Sequence, residues 1–374
     1  MKKPLRVATL FSGIGAPEWA LKRLSIPFVS VLACDNGEVS LDSSISIEQE
    51  AKRIQSMASF KEEKAFVDFL YAKHSKKKNF VKVSYLANFP DFDEGNYFLD
   101  VNLLNGRPLR GDVDLLIGGS PCQSFSTVGF QKGLEDPRGS LFFEYCRLVN
   151  EIQPEVFIYE NVSGIKSKKN QENWKRMWDG MGSLNYKMWA GTLNAKDFGI
   201  PQVRNRFFAV GFKNRSIAID TFNPRKKESN LKMQDFLIDS TEEGGVTYGK
   251  DGDLCFSKIP GKTPSEYILT PAVKKYVMCE GTGNYKTHIE IDRPIARTLL
   301  STMGNHHRAG VDNYVTDKSG NVRALTEREC LRLMGFTDDF KIVVSKAQAY
   351  KQIGNSMVVD VLMALIKEII RVAL

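Results

Sequence analysis

Short apolar runs alternate with amphipathic stretches along the first 220 residues. Runs rich in Val, Ile, Leu and Phe predict strands at 6–11, 28–33, 97–99, 113–118, 155–159 and 206–212. Apolar positions at helical spacing predict helices at 139–152 and 171–182. This alternation is typical of an α/β fold with a Rossmann-like, doubly wound parallel sheet, whose ligands bind at the carboxyl ends of the strands.

Two segments interrupt the alternation. Residues 39–84 are charged and helical in pattern, which predicts an insertion at the sheet edge; the lysines at 73–78 favour a solvated helical face over a phosphate-binding patch. Residues 223–322 lose helical periodicity and are rich in glycine, which indicates a smaller, loop-rich domain. We therefore divide the chain into domains at 1–222 and 223–344, with a C-terminal helix at 345–374 returning to the first domain.

The helix signals near the C-terminus are specific. Thr326 followed by Glu329 forms a capping-box pattern, which predicts that a helix begins there. The last helix is predicted from about 356 to 374, and its mostly apolar side chains predict packing against the first domain.

Composition and charge set the class of protein. The 374 residues are 42% hydrophobic and 26% charged, as in soluble globular proteins. The net charge of +8 permits a nucleic-acid partner without requiring one. Six scattered cysteines without paired spacing are typical of cytosolic thiols, so we expect a cytoplasmic protein. No secretory signal and no run of about 18 apolar residues is present, so we expect no membrane segment.

A glycine turn and two carboxylates follow predicted strands. The turn Phe11, Ser12, Gly13, Ile14 and Gly15 lies between a strand and a helix, where backbone amides can approach a ligand. Asp35 and Asp100 end the second and third strands, a position where acidic side chains bind ribose hydroxyls. Together they predict a site for an adenosine-containing cofactor, with ordinary loop residues as the alternative.

Cys122 follows the strand at 113–118, two glycines, a serine and Pro121. A thiol at the carboxyl end of a strand is where an open α/β sheet presents its chemistry. The alternative is a buried structural cysteine, which describes most free cysteines.

The motifs of the chain resemble, in order, those of the cytosine-C5 DNA methyltransferases of bacterial restriction–modification systems and phages. The matching segments are 11–15, Pro121–Ser126, 131–133, 136–142, the Glu-Asn-Val at 160–162, the Gln-x-Arg-x-Arg at 202–206, 323–330 and the Gly-Asn-Ser at 354–356. The resemblance covers nearly the whole chain. It implies that residues 1–222 are a catalytic and cofactor-binding domain and that 223–344 recognise the target.

The resemblance implies a mechanism. Cys122 as thiolate would add to C6 of cytosine, and the methyl group of S-adenosylmethionine would pass to C5. Glu160, protonated in a buried pocket, would hydrogen-bond N3, while Arg206 contacts O2 and orients Glu160. Arg204 belongs to the same expected catalytic set.

The resemblance also assigns cofactor and DNA contacts. Besides the glycine turn, Asp35 and Asp100, the cofactor would contact Asn36, Val101, Pro121, Leu141, Asn355, Ser356 and Met357. The target cytosine must be flipped out of double-stranded DNA. A loop around 123–136 would close over it, with DNA contacts from Gln123, Ser126, Arg138, Arg297 and Arg308. His306 and His307 lack further ligands at metal-binding spacing, so we expect no metal.

Alternatives and departures remain. The family usually has Glu where this chain has Asp35, which implies a longer ribose contact. A related branch methylates transfer RNA and carries Cys-Phe-Thr with spaced tyrosines; this chain has Cys255-Phe256-Ser257 without them. A catalytically inactive DNA-binding relative is disfavoured because Cys122, Glu160 and Arg206 are all present. We expect a monomer, functionally paired with a restriction endonuclease.

Overall fold

A computed structural model describes residues 3–121, 141–238, 245–257, 263–281 and 286–374. Within these ranges, seven strands form one sheet in the order β3-β2-β1-β4-β5-β7-β6. The strands are β1 Leu5–Leu10, β2 Phe28–Cys34, β3 Tyr97–Phe98, β4 Leu115–Gly118, β5 Val156–Val162, β6 Lys187–Asn194 and β7 Asn205–Phe212. The first five in this list pair in parallel, which confirms the predicted α/β class.

Strand β7 departs from the expected parallel sheet. It runs antiparallel to both β5 and β6. The connection from β6 to β7 spans only residues 195–204 and carries no α-helix. A parallel pair needs a longer crossover, so this short return forces the antiparallel direction. The amino end of β7 therefore lies at the carboxyl edge of the parallel strands.

Helices cover both faces of the sheet. They are α1 Ala16–Arg23, α2 Ile47–Gln55, α3 Phe60–His74, α4 Phe80–Asn88, α5 Leu141–Ile152, α6 Gln171–Gly182, α7 Pro271–Val277, α8 Glu327–Arg332, α9 Lys346–Asn355 and α10 Val359–Ala373. Alternate residues of one strand enter different cores: Val7 packs with α1 and α10, whereas Ala8 packs with α3 and α5. Because strand side chains alternate in direction, these two cores lie on opposite faces.

The charged segment at 39–84 contributes to one of these cores. Ile54 of α2 and Val67, Leu70 and Tyr71 of α3 pack with the side chains of β2 and β3. The segment therefore forms the crossover from β2 to β3, near the sheet edge, and its apolar positions cover the sheet face there.

The later part of the chain adds two hairpins. They are formed by β8 Gly245–Tyr248 with β9 Leu254–Ser257, and by β10 Tyr314–Thr316 with β11 Val322–Ala324. A small separate core contains Leu269, Val277 and Tyr314. Other residues of this part, such as Met233 and Leu299, pack into the large core shared with α1 and α10. None of the described helices is both long and apolar enough to cross a membrane.

The predicted capping box and terminal packing are confirmed. Thr326 and Glu329 cap α8 reciprocally, and α10 packs against α1. Buried Arg23 of α1 joins these parts: its guanidinium contacts Asp360 of α10 at 2.7 Å and donates to the carbonyl oxygens of Gly335 and Gly252 at 2.8 and 2.6 Å. One arginine thus connects the first helix to three distant segments.

Replacing Arg23 with Met should therefore destabilise the protein strongly. It leaves the Asp360 carboxylate without its partner in a buried position, which typically costs about 3–5 kcal/mol. The control is Lys22→Met, because Lys22 pairs with Asp339 at the surface and such pairs contribute less than about 1 kcal/mol. Urea unfolding measures both variants, and equal midpoints would contradict this role of Arg23.

Candidate active site

Antiparallel β7 places Arg206 beside the end of β5. In the sheet register Val162 lies opposite Arg206, and Glu160 lies opposite Phe208. The Arg206 Nε atom is 3.1 Å from Glu160 Oε1, and the two side chains are 18% and 14% exposed. The pair is thus largely shielded yet open at one side. This geometry matches the expected orientation of Glu160 by Arg206.

The environment of Glu160 favours its neutral form more than water does. Burial raises the pKa of this carboxyl group, while the positive charges of Arg206 and Arg204 act in the opposite direction. Glu160, Arg204 and Arg206 line one small cleft, together with Leu193, Phe208, Val358 and Val361. An acid in such a cleft can donate a hydrogen bond to a bound base.

Strand β4 ends next to Glu160. A Cβ atom on Gly119 would lie 2.9 Å from Glu160 Oε2 and 3.1 Å from Met357 Cε, so only glycine fits without displacement. Ser120 Oγ lies 2.7 Å from the Tyr159 hydroxyl, which links the two strand ends. Pro121 is exposed. The predicted residues Cys122, Gln123, Ser126 and Arg138 lie outside the described residues.

Arg204 lines the same cleft as Glu160 and is also bonded to distant backbone segments. It lies one residue before β7 begins and is 3% exposed. Its guanidinium donates to the carbonyl oxygens of Leu299, Gly354 and Ser356 at 2.8–2.9 Å. These backbone bonds join Arg204 to the 299 and 354–356 segments, since a guanidinium group can serve several acceptors at once. Its catalytic role stays a prediction.

The glycine turn at 11–15 has the conformation expected of a ligand-binding turn. Phe11, Gly13 and Gly15 all have positive φ, at 54°, 55° and 84°. Such values are unusual for Phe11, so the turn is held by its surroundings. A Cβ atom on Gly15 would lie 2.2 Å from the ring of Phe89, which requires glycine there. Buried Ser12 and Ile14 complete the turn.

The two predicted carboxylates organise the backbone around this turn. Asp35 accepts hydrogen bonds from the amides of Gly13 and Gly37, each at 2.8 Å. Burial raises the pKa of Asp35 despite these bonds. Asp100 accepts from the Tyr71 hydroxyl at 2.8 Å and from Asn102. Each carboxylate has further lone pairs, so these bonds are compatible with a ribose or adenine contact.

The other expected cofactor residues lie on the same loops. Asn36 follows Asp35 and accepts from the Glu38 amide, while Val101 is buried beside Asp100. Leu141 begins α5. Asn355 is exposed at the end of α9, Ser356 is buried, and Met357 approaches Gly119. The structure thus brings the carboxyl-edge residues together from both ends of the chain.

Of the three arginines expected to contact DNA, the two within the described residues have local partners. Arg297 donates to the carbonyl oxygen of Glu290 at 3.2 Å, and its guanidinium lies 3.7 Å from the Glu290 carboxylate. The Arg308 guanidinium lies 5.2 Å from the ring centroid of Tyr276. Both are partly buried, and their contact with DNA stays a prediction.

Sequence reasoning missed several residues that build the site. Buried Asn161 donates to the Tyr159 hydroxyl at 2.7 Å, which extends the link from Ser120. Buried Gln202 donates to the carbonyl oxygen of Leu333 and accepts from the Leu299 amide. Both residues belong to motifs that were recognised. The sequence signal that could have identified them is a polar side chain at a buried position, which needs a hydrogen-bond partner inside the protein.

The sheet order and the polar groups at its carboxyl edge define an α/β protein whose ligand site lies at the carboxyl ends of the strands. The family model for C-5 cytosine-specific DNA methylases matches residues 56–371. The chain is 38% identical to type II methyltransferase M.HhaI of Haemophilus parahaemolyticus, over 74% of this chain and 80% of that protein. It is 31% identical to M1.ScrFI of Lactococcus lactis subsp. cremoris, over 77% and 69%.

Solved structures share the fold. A Dnmt2 methyltransferase of S. pombe has a TM-score of 0.63 at 19% identity, covering 99% of both chains. An E. coli prophage-encoded putative DNA modification methyltransferase has 0.58 at 22%, covering 98% of this chain and 99% of that one. The chain belongs to the C-5 cytosine-specific DNA methylase family and is a DNA cytosine-5 methyltransferase.

Replacing Gly119 with Ala should reduce activity far more than stability. The added methyl group would displace the Glu160 carboxylate, and misplacement by about 1 Å costs about 100-fold in rate. Gly182→Ala is the control, because nothing lies within 4 Å of its added Cβ. We expect kcat/KM for DNA methylation to fall about 100-fold in the first variant only. Full activity of Gly119→Ala would contradict the close packing of Gly119 against Glu160.

Proposed function

We propose that this enzyme flips one cytosine out of double-stranded DNA within a specific sequence and methylates its C5 after addition of Cys122 to C6. The observation that carries the proposal is the Glu160–Arg206 pair, 3.1 Å apart and beside Gly119, three residues before Cys122. A polar clamp beside a nucleophile is the arrangement that covalent catalysis on a pyrimidine needs.

Each protein group has one task. The Cys122 thiolate forms a bond to C6, and the electron pair of the C5–C6 double bond becomes available at C5. Neutral Glu160 donates a hydrogen bond to N3 and Arg206 donates to O2, so the charge that develops on the ring is stabilised. After methylation the C5 proton leaves, the bond to sulfur breaks, and the thiolate is released.

The cofactor we propose is S-adenosylmethionine. When bound, it supplies an electrophilic methyl group. The glycine turn fits such a ligand, because its left-handed backbone favours glycine at 13 and 15 and the space that a side chain of residue 13 would fill is open. Asp35 and Asp100 would receive the ribose and adenine, and Asn355, Ser356 and Met357 would cover the site from the other end of the chain.

We propose that Gln123, Ser126 and Arg138 contact DNA around the flipped base, with Arg297 and Arg308 contributing from the 223–344 part. The enzyme would act as a monomer and protect DNA from a partner restriction endonuclease. Transfer RNA is the alternative substrate. The similarity to type II methyltransferases and the match to the DNA methylase family model favour DNA.

The reaction and target are tested by incubation with S-adenosylmethionine and genomic DNA or RNA, followed by sequence mapping of 5-methylcytosine. We expect methylation at one DNA consensus, and at least a 1,000-fold loss of activity in Cys122→Ser because no other thiolate can replace the nucleophile. Cys255→Ser is the matched control, since that cysteine is exposed and lies in β9. Methylation confined to RNA would contradict the proposal.

A further inference from the structure

The turn after β5 carries lysines beside the Glu160–Arg206 pair. It consists of two short helical turns, Ser163–Lys166 and Lys168–Asn170, and begins directly after Val162, which lies opposite Arg206 in the sheet. The turn therefore begins at the carboxyl edge of the sheet, directly after the strand that carries Glu160.

The backbone of this turn is fixed by buried groups. Ile165 is fully buried in the core below it. Asn170 is 2% exposed, and its side-chain amide donates to the Gly164 carbonyl oxygen at 2.9 Å. Because the backbone of this turn is already fixed, its exposed side chains have defined positions. Binding a partner therefore costs little conformational entropy of the backbone.

The charges on the turn are available to a partner. The Lys166 ammonium lies 5.1 and 5.2 Å from the ring centroids of Trp174 and Phe207, which holds it by cation–π attraction. Lys168 and Lys169 are exposed, and neither has an ion-pair partner within the described ranges. Three positive charges thus follow Glu160 within nine residues.

We propose that Lys168 and Lys169, supported by Lys166, bind backbone phosphates of the DNA strand next to the flipped cytosine. The inference rests on the proposed DNA substrate and adds a contact surface to it. Phosphate contacts position a duplex without reading its sequence. At this location they would hold the strand in register while the base enters the cleft.

The test is the salt dependence of DNA affinity for Lys168→Gln/Lys169→Gln. The slope of log K against log salt concentration is negative, and each lost phosphate contact reduces its magnitude by about 0.9. We therefore expect the magnitude of the slope to decrease by about 1.8 in this variant. The decrease should be equal for specific and unrelated duplexes, because phosphate contacts do not read sequence. Lys76→Gln/Lys77→Gln is the matched control, because it removes the same charge from an exposed loop next to α4.

An unchanged slope in the 168/169 variant, or an equal decrease in the control, would overturn the assignment to this turn. The measurement is independent of the proposed chemistry: wild-type protein that binds DNA without methylating it would refute the proposed function and leave this test intact.

A second inference comes from a buried acid behind the glycine turn. Glu18, the third residue of α1, is fully buried, and burial raises its pKa. Its Oε1 atom accepts from the Tyr85 hydroxyl at 2.8 Å and lies 3.0 Å from Thr9 Oγ1. Its Oε2 atom has no hydrogen-bond partner within the described residues. An ionised carboxylate would be costly in this position.

The contacts of Glu18 continue to the turn. Thr9 Oγ1 lies 2.9 Å from Ser12 Oγ, which in turn accepts from the Cys34 amide at 2.8 Å. The rings of Tyr85 and Phe89 pack at an angle of 45°, with centroids 4.9 Å apart, and Phe89 covers Gly15. Glu18 is thereby connected to both ends of the 11–15 turn.

We infer that Glu18 is a positioning residue for the cofactor turn, an inference that rests on the proposed cofactor. Glu18→Leu should weaken S-adenosylmethionine binding about tenfold, the effect of one lost buried hydrogen bond with its desolvated partner. Glu18→Gln keeps the shape and the acceptor oxygen, so it should bind within about twofold of wild type. DNA affinity without cofactor should not change in either variant.

Titration calorimetry with S-adenosylmethionine measures these affinities. Tyr85→Phe supplies a second variant in case Glu18→Leu fails to fold, and it should weaken cofactor binding several-fold. Wild-type affinity in both Glu18→Leu and Tyr85→Phe would overturn the inference, as would a Gln variant as weak as the Leu variant. Absence of binding by wild-type protein would instead refute the proposed cofactor.

Discussion

The antiparallel pairing of β7 with β5 is the constraint on which the active site depends. It brings a strand start and a strand end to the same edge, so Arg206 meets Glu160. With β7 parallel, Arg206 would lie at the opposite end of β5, and Glu160 would face the cleft without a cation. Backbone hydrogen bonds along the two strands therefore determine the electrostatics of the proposed catalytic acid.

Buried arginines attach the later chain to this sheet. Arg204 holds the carbonyl oxygens of Leu299, Gly354 and Ser356, and Arg23 holds Asp360 and two more carbonyls. Arg323 and Glu329 form a fully buried pair near α8. Since guanidinium groups can satisfy several acceptors at once, they suit junctions where irregular backbone is buried. The cofactor and base sites are assembled from distant segments through such junctions.

Local sequence patterns predicted much of this arrangement. Strands β1, β4, β5 and β7 appear as apolar runs because most of their residues are buried on both faces, and β2 does so because its second half is buried. Strand β6 was missed because its side chains are only partly buried at the sheet edge, so no clear period shows. The direction of β7 was also missed, since strand polarity depends on the partner and the connection rather than on composition.

The motifs predicted which residues gather at the site but not what each one contacts. Arg204 and Arg206 share one motif, but the Arg206 Nε atom lies 3.1 Å from Glu160, whereas Arg204, just before the strand, donates to the carbonyl oxygen of Gly354. The lysines after Glu160 and the buried Glu18 carry no motif of their own. Their significance depends on the register of β5 and on burial, which a single sequence does not display.

We propose that Cys122 attacks a flipped cytosine that is hydrogen-bonded by Glu160 and Arg206. Fluorine at C5 blocks proton loss after methyl transfer, so duplex DNA with 5-fluorocytosine at the target should trap the enzyme covalently. We predict an adduct that mass spectrometry assigns to Cys122, that requires S-adenosylmethionine, and that is absent in Cys122→Ser. An adduct on another residue, or one that persists in Cys122→Ser, would contradict the assignment of Cys122 as the nucleophile.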